Sequence, residues 1–78
     1  MTDIQSPLPG TFYQQASPEQ PPYKSAGDAV AVGDVIGLVE VMKTFIEVKA
    51  ETAGTFKEFA VENAAAVTAG DVVARLGG

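Results

Sequence analysis

The chain has 78 residues, 46% of them hydrophobic, without cysteine, histidine or tryptophan, and ten acidic against five basic side chains give a net charge of −5. One small domain of this length buries roughly 60–65% of its unfolded surface and holds a thin core. Lack of Cys and His excludes a disulfide framework, a thiol nucleophile, zinc chemistry and a His-based triad. The acidic balance without a basic patch speaks against nucleic-acid binding. No apolar run approaches the roughly 20 residues of a membrane span, and the opening MTDIQSPLPG lacks the layout of a signal peptide. A soluble, cytoplasmic protein is expected.

No segment carries a 3.6-residue period. The apolar residues are mostly Val, Ile and Phe, and Gly and Pro recur roughly every eight to twelve residues, which is the pattern of short strands in a small barrel or sandwich. Residues 14–27 hold three of the five prolines (Pro18, Pro21, Pro22), so they are not a central strand. On composition alone they are either a disordered loop or a semi-rigid protrusion anchored by Tyr23. The most apolar run, VIGLVEVM (35–42), reads as a strand that ends at Lys43. Segment 44–51 alternates, with Thr44, Ile46, Val48 and Ala50 on one face and Glu47, Lys49 and Glu51 on the other. Phe45 falls on the charged face beside the turn. In TFKEFAVE (55–62), Phe56 and Phe59 are three apart, which predicts a bulge because the segment is too short for a stable helix.

An internal repeat organises these segments. Gly33-Asp34-Val35 recurs 37 positions on as Gly70-Asp71-Val72, and Gly10-Thr11-Phe12 recurs 44 positions on as Gly54-Thr55-Phe56. The difference places about seven extra residues in the first copy, between Phe12 and Gly27. Two copies of about four short strands each predict an all-β sandwich with a pseudo-two-fold axis, since neither half buries its apolar face alone. Each Gly-Asp pair is expected to form a turn before a strand, so Asp28, Asp34 and Asp71 read as turn residues rather than metal ligands. Segment 40–51 has no counterpart in the second half beyond the end of the chain. The tip Met42-Lys43-Thr44 therefore lies at one extremity, with the termini expected near the other.

A hairpin normally turns on Asn-Gly or Asp-Gly, and here a lysine stands between two strands. Most hairpin lysines are simply solvated. Met42 beside it is apolar where polar residues are usual, and exposed methionine marks partner surfaces. A lysine amine is almost wholly protonated at neutral pH, so its acylation needs an enzyme that activates the donor. Glu40 and Glu47 on facing strands invite a catalytic carboxylate pair, but no pocket-forming loop is expected at them.

Several motifs together resemble one family. Glu40-Val41-Met42-Lys43-Thr44 resembles the Glu-Ala-Met-Lys-Met attachment motif of biotinyl domains, in particular the biotin carboxyl carriers of acetyl-CoA carboxylases. Ser6-Pro7-Leu8-Pro9-Gly10-Thr11-Phe12-Tyr13 resembles their opening, Val32-Gly33-Asp34 the turn before the attachment strand, and Gly54-Thr55 the Gly-Thr after the hairpin. The resemblance spans about residues 6–76. It implies one domain, 1–78, that is a flattened β-barrel or sandwich of two four-stranded antiparallel sheets with pseudo-two-fold symmetry. It implies a thumb-like insertion at 14–23, carried by Ser17, Pro18, Glu19, Pro21, Pro22 and Tyr23, and so favours the protrusion over disorder. It further implies covalent biotin in amide linkage at Lys43, with Glu40, Val41, Met42 and Thr44 as the attachment motif recognised by a biotin protein ligase. The carrier itself would catalyse nothing and would serve a biotin carboxylase and a carboxyltransferase in fatty acid synthesis. Val41 and Thr44 depart from the motif. A lipoyl carrier of the same fold usually reads Asp-Lys-Ala at the tip, and a non-enzymatic adaptor module without a prosthetic group is the reading of a different class.

Overall fold

The computed structural model describes residues 2–77. Glycine at positive φ and an aspartate cap set its turns. Gly33 and Gly70 take φ of 92° and 90°, a region closed to most L-residues. Each is the third residue of a tight turn in which the Asp34 or Asp71 amide donates to the carbonyl of Ala31 or Thr68, at 3.0 and 3.1 Å. The Asp34 and Asp71 carboxylates accept a bond back from the Ala31 and Thr68 amides, each at 2.8 Å. Asp28 caps the Ser25 amide in the same way. All three aspartates are thus turn residues.

Between the turns run eight strands: β1 (Thr2–Gln5), β2 (Gly10–Tyr13), β3 (Ala29–Val30), β4 (Val35–Val41), β5 (Thr44–Lys49), β6 (Gly54–Phe59), β7 (Ala65–Val67) and β8 (Val72–Gly77). They form two four-stranded sheets, ordered β1-β8-β6-β3 and β5-β4-β2-β7, antiparallel throughout. Among the described residues there is no helix, and hence none long and apolar enough to cross a membrane.

The two orders are the same sheet twice. Strands β5, β4, β2 and β7 correspond to β1, β8, β6 and β3. The match extends to single bonds. Gly33 N–H donates to Ala50 O and Gly70 N–H to Ser6 O, both at 2.8 Å, while Ala50 and Ser6 in turn donate to the carbonyls of Asp34 and Asp71. The register slips between Val35 and Gly37 opposite β5, and between Ile4 and Gln5 opposite β8, at equivalent places. One expectation is corrected here. Segment 40–51 does have a counterpart, supplied by the start of the chain: β1 pairs with β8 as β5 pairs with β4.

The same symmetry places the ends of the chain. Thr2 pairs with Leu76, so the described ends are neighbours and are the two-fold image of the β4–β5 tip. Residues of β1 line a cavity of about 290 Å³ with Lys49 and Glu51, at the base of β5 rather than its tip.

The core lies between the sheets and includes Ile4, Phe12, Ile36, Val39, Val48, Phe56, Val73 and Leu76. In β5 the alternation places Val48 inside and Ile46 half-buried, with Ala50 buried just past the strand. Phe45, Glu47 and Lys49 are exposed, and so is Thr44, which lies beside the turn and beyond the core. The bulge in β6 falls between Phe56 and Glu58, where the register shifts against β8. One extra residue brings Phe56 and Phe59 to the same side, with ring centroids 4.8 Å apart, and Phe59 also meets Phe12 at 6.1 Å.

Candidate functional site

Lys43 sits on a turn tighter than the sequence suggests. Strand β4 ends at Val41, β5 begins at Thr44, and these two residues pair. The loop is therefore Met42-Lys43 alone, and Thr44 is the first residue of β5 rather than part of the tip. Met42 has φ 49° and Lys43 φ 67°, the pair of left-handed residues that a type I′ turn requires to match the strand twist. Glycine or asparagine takes this conformation at little cost, whereas other L-residues pay about 1–2 kcal/mol each. Met42 is 94% exposed and Lys43 is exposed beside it. Among the described residues Lys43, like Lys57 on β6, enters no ion pair, whereas Lys24, Lys49 and Arg75 all do.

Strand pairing sorts the flanks of the turn. Val41 packs inward on the core, with a γ-methyl 3.1 Å from where a Cβ on Gly10 would stand. Such a Cβ would meet the Glu40 carbonyl and Val39 Cγ1 (2.7 Å) sooner still, so the missing side chain at Gly10 makes room for the close approach of β4 as a whole. On the outer face Glu40 pairs with Thr11 on one side and Phe45 on the other. The Tyr13 hydroxyl donates to Glu40 Oε1 at 3.2 Å, and the Tyr13 and Phe45 rings are 6.2 Å apart, tilted by 53°. That hydrogen bond, then partial burial, then the carboxylate charge raise the Tyr13 phenol above its ordinary ionisation range. Glu47 pairs with Leu38 and forms an ion pair with Lys49 at 3.7 Å. Glu40 and Glu47 bind different partners and share no cleft.

Residues 14–23 form a closed loop. The Tyr23 amide donates to Gln14 O at 2.9 Å, and the Gln20 amide to Ser17 O at 3.1 Å. Lys24 then ties the return leg to the barrel, with Nζ 3.2 Å from both Asp34 Oδ2 and Ala29 O. The loop stands on the flank of the β4–β5 hairpin. Gln15, Ala16, Ser17 and Pro18 form one wall of a cleft of about 280 Å³, with Tyr13, Phe45 and Asn63 on the others. Ser17 and Pro18 thus face the hairpin flank across the cleft, while Glu19, Pro21 and Pro22 are exposed and outside it. Sequence reasoning missed Tyr13 and Asn63 as members of this cleft. Phe45 gave a signal, a large aromatic on the charged face of an alternating strand.

Comparison with known proteins places this fold in a known family. The family model described as "Biotin-requiring enzyme" matches residues 2–76, and the chain belongs to that biotin/lipoyl family. It is 42% identical over 73 residues to the biotin carboxyl carrier protein of acetyl-CoA carboxylase of Chlamydia muridarum, covering 94% of this chain and 45% of that one. Identity to the protein of the same description in Pseudomonas aeruginosa is 40% over 60 residues, 77% of this chain and 38% of that one. Among solved structures, the urea carboxylase of Kluyveromyces lactis superposes with a TM-score of 0.74 at 30% identity, over 94% of this chain and 6% of that one. The chain spans less than half the length of each of these relatives.

Proposed function

We propose that Lys43 is the site of covalent biotin attachment and that the domain is the non-catalytic carrier of a cytoplasmic biotin-dependent carboxylase, of the acetyl-CoA carboxylase type that supplies fatty acid synthesis. The observation that carries this reading is the turn itself: an exposed amine without an ion pair, held at a hairpin apex by two left-handed residues neither of which is glycine. The residues present fit the group. An exposed amine forms an amide without breaking any contact that holds the fold. Biotin, when bound, supplies a nitrogen that takes up a carboxyl group at one active site and releases it at another.

The chain's own part is presentation. A rigid hairpin fixes the root of the Lys43 side chain, and tethering raises the local concentration of its cargo at both sites. Amide formation removes one cation, so the net charge goes from −5 to −6. Met42 offers an exposed apolar contact to a biotin protein ligase, and Glu40, Val41 and Thr44 complete the motif it reads. Loop 14–23 takes the part of the thumb. The other partners are a biotin carboxylase and a carboxyltransferase.

Intact mass of protein from its native host tests the reading. A biotinyl increment that disappears in Lys43→Arg, with the circular dichroism unchanged, supports it. The smaller lipoyl increment would reassign the cargo, and an unmodified Lys43 would leave the carrier reading without support.

A further inference from the structure

We infer that Asn63 is a positioning residue that fixes loop 14–23 against the flank of the Lys43 hairpin. The functional arm of this inference rests on the carrier reading above.

The argument starts where the two-fold symmetry fails. Ala64 N–H donates to Phe12 O at 2.7 Å as Gly27 N–H donates to Phe56 O at 2.9 Å, so the turns that contain them are equivalent. Asn63 precedes Ala64, and its image before Gly27 is Ala26, which has no side-chain acceptor. The insertion lies in the first half alone, and the asparagine is placed to meet it. The Gln14 amide donates to Asn63 Oδ1 at 2.8 Å, and Gln14 Nε2 donates to Val61 O at 3.0 Å. The Gln14 carbonyl accepts the Tyr23 amide that closes the loop. Gln14 therefore joins both legs of the loop to the β6–β7 connection through one residue. Asn63 also lines the cleft with Ser17, Pro18 and Phe45. Its own turn is held to β2 by the Ala64–Phe12 bond, so the anchor does not slide.

The Gln14–Asn63 bond is exposed. Water competes for it, and its loss loosens the loop without unfolding the barrel. Asn63→Ala is expected to speed hydrogen exchange of the Gln14 and Tyr23 amides about fivefold, the factor that a net hydrogen bond carries. Resonances of Ser17, Pro18 and Phe45 move, while those of the β6–β8 pair stay in place. Asn63→Asp keeps an acceptor oxygen and restores the wild-type exchange, which a general structural role would not do. With biotin-loaded chain and a purified bacterial biotin carboxylase, Asn63→Ala raises KM for the carrier by about 1.5- to threefold with kcat nearly unchanged, because a fivefold weaker closure lowers the fraction of loops in the competent position by that much. Unchanged Gln14 exchange in Asn63→Ala, or failure of Asn63→Asp to restore it, overturns the anchor. Faster exchange with an unchanged KM overturns its role in carrier use. If the wild-type chain takes no biotin, the Lys43 reading falls, and exchange still decides the anchor.

Discussion

The Tyr13 hydroxyl donates to Glu40 across β2 and β4 at 3.2 Å, linking the strand that leads into loop 14–23 to the strand that leads into the Lys43 turn. The bond favours the protonated phenol, and so do burial and the nearby charge. A folded-state value raised above the unfolded one of about 10 contributes stability that is complete below pH 10 and lost as pH rises through the folded value. In Tyr23→Phe, Tyr13 is the one remaining phenol. Its spectrophotometric titration should lie above the ordinary range, and adding Glu40→Ala should return it towards 10. Equal midpoints with and without Glu40 would remove the bond from the account.

Ala64 carries a backbone cost that its symmetry mate avoids. It has φ 65° at the position where the first half places Gly27, φ 94°. Ala64→Gly should stabilise the domain by about 1 kcal/mol, raising Tm by roughly 4–8 °C. Gly27→Ala should lower stability by a similar amount. No atom lies within 4 Å of a Cβ built at Gly27, so that loss is purely conformational. Thermal melts of the two single variants check both signs, and an unchanged Tm in Ala64→Gly would contradict the strain.

Much of this architecture was legible because it repeats. Gly33-Asp34 and Gly70-Asp71 announced two equivalent turns, the phase of Phe56 and Phe59 announced the bulge, and the alternation from Thr44 to Ala50 announced β5. Each is a local pattern with one cheap physical solution. The image of β5 was hidden because the chain supplies it from its other end, as Thr2–Gln5. The Ala64 turn was hidden because nothing in an alanine signals left-handed backbone. The Tyr13–Glu40–Phe45 group and the Gln14–Asn63 anchor depend on strand register across separations of 27 and 49 residues, which no local motif encodes.

Gly37 is a packing requirement rather than a turn. A Cβ there would meet Phe12 Cζ at 2.5 Å and the Tyr13 carbonyl at 2.7 Å. Phe12 is fully buried and leans on Phe59, so the ring has no free space to enter. Gly37→Ala should destabilise by about 1–3 kcal/mol through overpacking. Urea unfolding measures this, and a loss below about 0.5 kcal/mol would mean that the core relaxes around the methyl group.

Asp34 gives the domain an acid-sensitive joint. The Ala31 amide first, and Lys24 second, hold its carboxyl below the usual range. A depressed folded-state value contributes stability that is present above the unfolded value of about 3.9 and lost as pH falls through the folded value. Asp34→Asn should therefore lower Tm at pH 7 and narrow its difference from wild type as pH drops below about 4. Because Lys24 is bound to the same carboxylate, Lys24→Met should make Asp34 titrate closer to its ordinary value. A Tm difference independent of pH would assign the cap to geometry alone.

The Lys43 turn sets stability against the attachment proposed for it. Both of its residues are left-handed and neither is Gly or Asn, so the hairpin holds strain at the point where the chain presents its amine. Replacing Met42-Lys43 by Asn-Gly supplies the residues that a type I′ turn favours, and the double variant should gain about 2–4 kcal/mol, the cost of two left-handed residues. It should also lose any modification at position 43, since no amine remains. Lys43→Gly alone separates the two effects, gaining about half the stability with the same loss of modification. Melting temperature and intact mass, measured on the same preparations, read both. A double variant no more stable than wild type would show that Met42 and Lys43 take the left-handed region without strain.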